Sequence, residues 1–291
     1  VSTPDASRTA EINAAMRAGE TYHPPARRLF ADPFAHYFVQ RPTYRAISSK
    51  PSVARVALRI FDRLYGGLHA EIILRNRYYE QQLLQLHATG VRQLVLLGAG
   101  YDSIASRQQL PGLTIFEVDA PATQRIKRAI VKRHPDLHPR TRVVYVECDF
   151  ERDDLSAALR TQRFDSELPS LVVWLGVSYY LSDAAVSDTL ARIAMLSAPD
   201  SCLIWDYMDR AVIAGSTPYA GARRAAAAVA KRGEPYIFGL EPEPLADLCT
   251  GTGFAIEDHA RIPDLARTLG PRGGVWCSVD DYMGVVRLRR A

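Results

Sequence analysis

Apolar runs of strand length alternate with segments of helical spacing from Val91 to Tyr207. Strand-like runs fall at Gln93–Leu97, Leu113–Val118, Arg142–Val146, Leu171–Leu175 and Cys202–Tyr207, with helical patterns at Pro121–Lys132 and Ser182–Ser197 between them. Such alternation predicts an α/β domain, a doubly wound and mainly parallel sheet, whose ligands gather beyond the strands' C-terminal ends. Gly98, Asp119, Asp149, Ser178 and Asp206 all fall at such ends. Before this core, residues 1–90 read as a helical arm: spacing from Thr9 to Ala18 stopped by Gly19, a proline-punctuated aromatic stretch over Thr21–Gln40, an amphipathic segment over Ser52–Tyr65, and a longer helix to His87. In Ser52–Tyr65, Val53, Val56, Leu58, Ile60 and Leu64 oppose Arg55, Arg59 and Arg63, a pattern that predicts an apolar face turned inward and a solvated arginine row. The alternation breaks at 208–240, where an alanine-rich helix (Tyr219–Lys231) sits between Gly215, Pro218, Gly233 and Pro235, as an inserted lid would. A helix at Glu241–Cys249 and strands at Phe254–His259 and Tyr282–Leu288 close a single domain, with 91–207 as its ligand-binding βαβ core and 241–291 as its C-terminal end.

The centre of the pattern is Leu96-Leu97-Gly98-Ala99-Gly100-Tyr101-Asp102, followed by Phe116-Glu117-Val118-Asp119. The glycines allow a tight turn and close approach of backbone to a ligand at a helix start. Asp119, 19 residues beyond Gly100, stands where a carboxylate can accept both hydroxyls of a ribose. The third glycine of the dinucleotide fingerprint is missing, since Ser103 and Ile104 occupy its place, which weighs against a nicotinamide-dependent oxidoreductase.

Composition narrows the remainder. The 291 residues are 47% hydrophobic and carry a net charge of +4, too mild a surplus to predict nucleic-acid binding. Only 4 of the 36 basic residues are lysines, and arginine suits planar anions better. Cys148, Cys202, Cys249 and Cys277 form no C-x-x-C pair and read as buried free thiols. His134 and His138 are four apart, but the prolines between and after them disfavour a helical metal site, and no metal is expected. No apolar run reaches the roughly 18 residues of a membrane span, and the N-terminus lacks a signal pattern. The expected setting is cytoplasmic, with a small-molecule partner, no nucleic acid and no membrane; the oligomeric state is open.

Several pieces resemble one family. Ala15-Met16-Arg17-Ala18-Gly19-Glu20, Leu29-Phe30-Ala31-Asp32-Pro33-Phe34-Ala35, Leu74-Arg75-Asn76-Arg77, Gly98-Ala99-Gly100-Tyr101-Asp102-Ser103, Phe116-Glu117-Val118-Asp119-Ala120-Pro121, Asp149-Phe150 and Gly176-Val177-Ser178-Tyr179-Tyr180-Leu181 are similar to class I S-adenosylmethionine-dependent methyltransferases of the leucine carboxyl methyltransferase family. Its bacterial branch includes tetracenomycin-type polyketide O-methyltransferases. The resemblance implies a Rossmann-like sheet of seven strands with the last antiparallel, and S-adenosyl-L-methionine as cofactor. By position it implies that Gly98 and Gly100 pass close to the methionine part, Asp119 holds the ribose, Asp149 and Phe150 flank the adenine, and Arg75 reaches the methionine carboxylate. Asp102 and Leu175 fall on further cofactor positions. Three departures accompany it: Leu175 stands where the family has an acid, Ile104 where it has an arginine, and Tyr78-Tyr79-Glu80 follow Arg77 in place of paired acids.

Methyl transfer needs an aligned nucleophile and little water. A carboxylate arrives ionised and needs only a clamp, for which Arg17, Tyr179 and Tyr180 are the candidates. A hydroxyl needs a base, and no histidine stands at a strand end; His69 reads as a packing or surface residue. The expectation is therefore an O-methyltransferase of a small natural product, the acceptor a carboxylate ahead of a hydroxyl. The alternative is a cofactor-binding protein that promotes cyclisation or rearrangement without methyl transfer.

Overall fold

In the computed structural model, residues 8–241, 244–271 and 278–290 are described. Cys277 and the extreme N-terminal residues lie outside them. The chain opens with four helices, α1 (Arg8–Thr21), α2 (Pro42–Ser48), α3 (Pro51–Leu64) and α4 (Leu68–Ala88). Strands and helices then alternate: β1 (Gln93–Leu97), α5 (Ile104–Arg107), β2 (Thr114–Asp119), α6 (Pro121–Arg133), β3 (Arg142–Glu147), α7 (Leu155–Thr161), β4 (Ser170–Trp174), α8 (Asp183–Leu196) and β5 (Cys202–Met208). After β5 come α9 (Arg210–Ile213) and α10 (Ala220–Ala230), then α11 (Pro244–Gly251), β6 (Phe254–Arg261), α12 (Ile262–Leu269) and β7 (Met283–Arg290).

The seven strands lie in the order β3-β2-β1-β4-β5-β7-β6. β1 to β5 are parallel, and β7 runs antiparallel to both β5 and β6. The alternation is therefore a Rossmann-like α/β sheet whose last strand is reversed. β1, β4 and β5 are buried at every residue, as strands covered by helices on both faces must be. The order reverses between β1 and β4, so their carboxyl ends flank the crevice in which open α/β sheets bind ligands.

In three places burial goes further than the sequence pattern indicates. α1 packs closely on its neighbours: Ala14 and Glu20 are fully buried. An added Cβ at Gly19 would meet Leu58 Cδ1 at 2.9 Å, so glycine there lets α1 and α3 touch. On α6 Lys127 is buried, and its ammonium lies 2.6 Å from Glu117. His69 is likewise fully buried, with Nδ1 3.2 Å from Asp62 and Nε2 3.6 Å from Glu20. That cluster joins α1, α3 and α4, and burial pushes the Glu20 carboxyl up to about 7.

Candidate active site: two chambers sharing one wall

Beyond the carboxyl ends of β1, β2 and β4 lies a cavity of about 640 Å³. Gly98, Gly100, Asp119, Asp149, Phe150 and Leu175 all line it. Gly98 adopts φ +69, and a Cβ there would stand 2.4 Å from Val177 Cγ2, so this turn admits only glycine. Asp119 is partly buried at the tip of β2. Its carboxylate accepts from the Gly100 N–H at 2.5 Å and the Ala120 N–H at 2.7 Å. Burial raises its pKa, and those two donors pull it back. Asp149 is more open and accepts from the Glu151 N–H at 3.1 Å. Asp102 also lines the cavity, but its carboxylate is engaged by the Tyr79 hydroxyl and the Ile104 N–H.

A second cavity of about 440 Å³ lies against the first. Its walls come from α1 to α4 and from α10, with Met16, Leu58, Ile72, Tyr179, Val229 and Tyr236 among its apolar and aromatic lining. Thr9, Asn13, Ile72, Arg75 and Tyr180 line both cavities and form the wall between them. The segment after α10 covers the junction: Glu234 accepts from the Thr9 hydroxyl at 2.6 Å, and Tyr236 packs within 5.1 Å of the Tyr179 ring and 5.3 Å of the Tyr180 ring. The insert at 208–240 thus contributes walls to both cavities.

The charged groups at the junction come from different elements. Arg75, on α4, is buried and ion-pairs with Asp206 of β5. The same guanidinium lies 3.4 Å from Glu71 and donates to the Tyr179 hydroxyl at 3.2 Å. Its Nε has no hydrogen-bond partner. Asp206 is fully buried and lines neither cavity. It also accepts from the Gly176 N–H at 2.9 and 3.1 Å, directly after Leu175. A carboxylate thus stands beside Leu175, supplied by the neighbouring strand. Glu71 lines the second cavity; Oε2 accepts from the Tyr282 hydroxyl at 3.3 Å, and Oε1 has no hydrogen-bond partner. Burial pushes Glu71 up to about 7 against the pull of Arg75.

Arg17, expected to clamp the acceptor, is engaged elsewhere. Its Nε donates to Asp32 at 2.9 Å and its Nη2 to the Tyr101 carbonyl at 2.6 Å. It lines the first cavity and not the second. Tyr179 and Tyr180 do line the second, and burial lifts both phenols above their ordinary value, Tyr180 to about 12. Reading the sequence missed Glu71, Thr9, Asn13 and Tyr236. The Glu71-x-x-x-Arg75 spacing, one helical turn, was the available signal for the first. Among the described residues no three His, Cys, Asp or Glu side chains are placed to hold a metal ion.

A model of the leucine carboxyl methyltransferase family matches residues 10–194, and the chain belongs to that family. A protein of Streptomyces coelicolor named an S-adenosyl-L-methionine-dependent methyltransferase is 34% identical over 210 residues, 70% of this chain and 71% of its own. One of Mycolicibacterium smegmatis with the same description is 36% identical over 146 residues, 50% of this chain and 48% of its own, so that match spans about half of the relative. Among solved structures, a duf574 family protein from Streptomyces avermitilis has a TM-score of 0.59 at 16% identity, covering 82% of this chain and 91% of that one, which shows the shared fold.

Proposed function

We propose that the protein is an S-adenosylmethionine-dependent O-methyltransferase whose first cavity holds the cofactor and whose second holds an apolar acceptor with a hydroxyl at the shared wall. The residues present fit the cofactor: a glycine turn, a carboxylate at the tip of β2, an aromatic edge at Phe150, and a buried guanidinium with one unpartnered nitrogen. When bound, it supplies an electrophilic methyl group. Asp119 would accept from the ribose hydroxyls, Asp149 and Phe150 would flank the adenine, and Gly98 and Gly100 would pass along the methionine part.

The observation that carries the choice of acceptor is the charge at the junction. Arg75 already faces two carboxyl groups, Asp206 and Glu71. With the cofactor's methionine carboxylate on the remaining Arg75 nitrogen, an acceptor carboxylate there would be a further buried anion without a free cation, which costs several kcal/mol. A hydroxyl instead meets Glu71, whose Oε1 lies 3.4 Å from Arg75 but makes no hydrogen bond and can accept a proton. General-base assistance of this kind is worth about 10²–10⁴ in rate. Tyr179, Tyr180 and Tyr236 would hold a ring or chain against the wall, and the covering segment would limit water.

The test uses cofactor labelled in its methyl group with 1-naphthol and 1-naphthoic acid as probes. We expect naphthol to be methylated, kcat to rise through about pH 7 to a plateau, and Glu71→Gln to lose at least a hundredfold in kcat together with that inflection. Methylation of the acid alone would favour the carboxylate acceptor that the family's description suggests. S-adenosylhomocysteine binding with neither probe methylated would favour the reading without methyl transfer, which Leu175 motivates.

A further inference from the structure

The apolar side of α3 faces outward. Of its apolar residues only Ala54 and Leu58 are buried, whereas Val53, Val56, Ile60 and Leu64 are 43%, 53%, 55% and 46% exposed. Ile47 of α2 is 45% exposed beside them. Helical geometry puts Val53, Val56, Ile60 and Leu64 on one stripe, with Arg59 and Arg63 along its border. Arg45, Lys50, Arg59 and Arg63 are all exposed, and among the described residues no carboxylate ion-pairs with them. From residue 41 to residue 65 the sole acid is Asp62, buried against His69. A helix with an exposed apolar stripe, a basic border and no exposed acid has the make-up of an interfacial helix.

The stripe also leads somewhere. Ile47, Ile60 and Leu64 line the second cavity while remaining exposed, so that cavity reaches the surface along this row. We propose that α2 and α3 dock on an anionic lipid bilayer, with the apolar stripe in the interface and the four cations on the headgroups, so that the second cavity opens toward lipid. A second copy of the chain fits the face poorly, because a two-fold contact would set the same arginines against one another. Anionic lipid complements them, each cation near such a surface contributing about 1 kcal/mol. Docking itself rests on this face alone. Its consequence, that the acceptor is a lipophilic molecule drawn from the bilayer, rests on the function proposed above.

The test is flotation of the purified protein with vesicles of phosphatidylcholine alone or with 30% phosphatidylglycerol. The protein should float with the anionic vesicles and not with the neutral ones, and 0.5 M salt should reduce the bound fraction at least tenfold. Val53→Glu/Val56→Glu and Arg59→Glu/Arg63→Glu should each lose at least tenfold in partitioning, with S-adenosylhomocysteine affinity by calorimetry kept within twofold. These four residues line neither cavity. Absent flotation on anionic vesicles, or partitioning equal to wild type in both variants, overturns the proposal. So does a dimer by sedimentation that Val53→Glu/Val56→Glu dissociates, which would assign the face to a second copy. Loss of S-adenosylhomocysteine binding in the wild type would instead count against the proposed function and leave the flotation result standing.

Discussion

The two cavities are built by different means. The first is made largely by strand ends and the turns that follow them, whose lining comes in short contiguous runs, 96–102, 119–120, 148–151 and 175–177, with side chains of α1, α4 and the segment after α10 closing it. The second is made largely by side chains from five helices, from Thr9 on α1 to Val229 on α10, joined by Tyr179, Tyr180, Met208, Tyr236 and Met283. Where backbone geometry makes the site, a handful of adjacent residues must be glycine or acid, and they are constrained together. Where side-chain packing makes it, any apolar residue of suitable size serves. The proposed cofactor site is fixed by the fold, and the acceptor site is free to vary on top of it. Arg75, Asp206 and Glu71 connect the two, and that connection is where the division can be tested hardest.

The largest effect is expected at Asp206. Asp206→Asn leaves the buried Arg75 with Glu71 as its remaining carboxyl partner, and breaking a buried pair from one side costs about 3–5 kcal/mol. Urea unfolding should register that loss. Adding Arg75→Met should recover more than half of it, since removing both charges removes the uncompensated ion. Asp206 lies behind the shared wall, so affinity for S-adenosylhomocysteine and for naphthol should fall together. A variant that kept full stability and lost one affinity alone would show that the wall is not a single unit.

Asp119→Ala should divide the cavities cleanly. Two charge-assisted bonds of about 1.5–3 kcal/mol each disappear, so S-adenosylhomocysteine should bind at least a hundredfold more weakly by calorimetry. Stability should also fall by about 1 kcal/mol, because the Gly100 and Ala120 N–H groups lose their acceptor. Naphthol affinity should stay within twofold. A parallel loss of naphthol binding would mean that the acceptor cavity depends on the tip of β2.

The same division explains what could be read in the sequence. The succession of strands through β5 and the glycine and acid pattern at the first cavity were legible in local runs such as Gly98-Ala99-Gly100 and Val118-Asp119. The reversed last strand and the places of Arg75, Asp149 and Phe150 at the cofactor came only from the family resemblance. The acceptor wall did not. Glu71 and Asp206 are 135 positions apart and meet at Arg75 only because the fold brings the Arg75 side chain of α4 to β5. Arg17 looked available because nothing in its neighbourhood revealed that Asp32 and the Tyr101 carbonyl would occupy it. The outward turn of α3 was hidden for a related reason. Its apolar and basic positions are those of an ordinary amphipathic helix, and periodicity does not say which face meets the core. Leu58 and Ala54, small enough to sit close to α1 beside Gly19, decide it.

The smallest effect, and the finest test of the shared wall, is expected at Leu175. This residue lines the first cavity, packs against the core and precedes the Gly176 N–H that Asp206 holds. Leu175→Glu restores the acid at the position where the family carries one. If Asp206 has taken over its role, the new carboxylate joins two others around a single guanidinium. Like charges in a partly dry site then repel, and some apolar packing is lost as well. S-adenosylhomocysteine affinity should fall about tenfold, or about 1.4 kcal/mol, with stability lowered by a similar amount. The cationic sulfonium of S-adenosylmethionine should feel the added charge more favourably than the neutral thioether does. The ratio of the two affinities should therefore shift toward S-adenosylmethionine even as both weaken. A rise in both affinities with faster methyl transfer would mean that Asp206 replaces nothing and that Leu175 marks a lost catalytic function, in agreement with the reading in which the bound cofactor donates no methyl group.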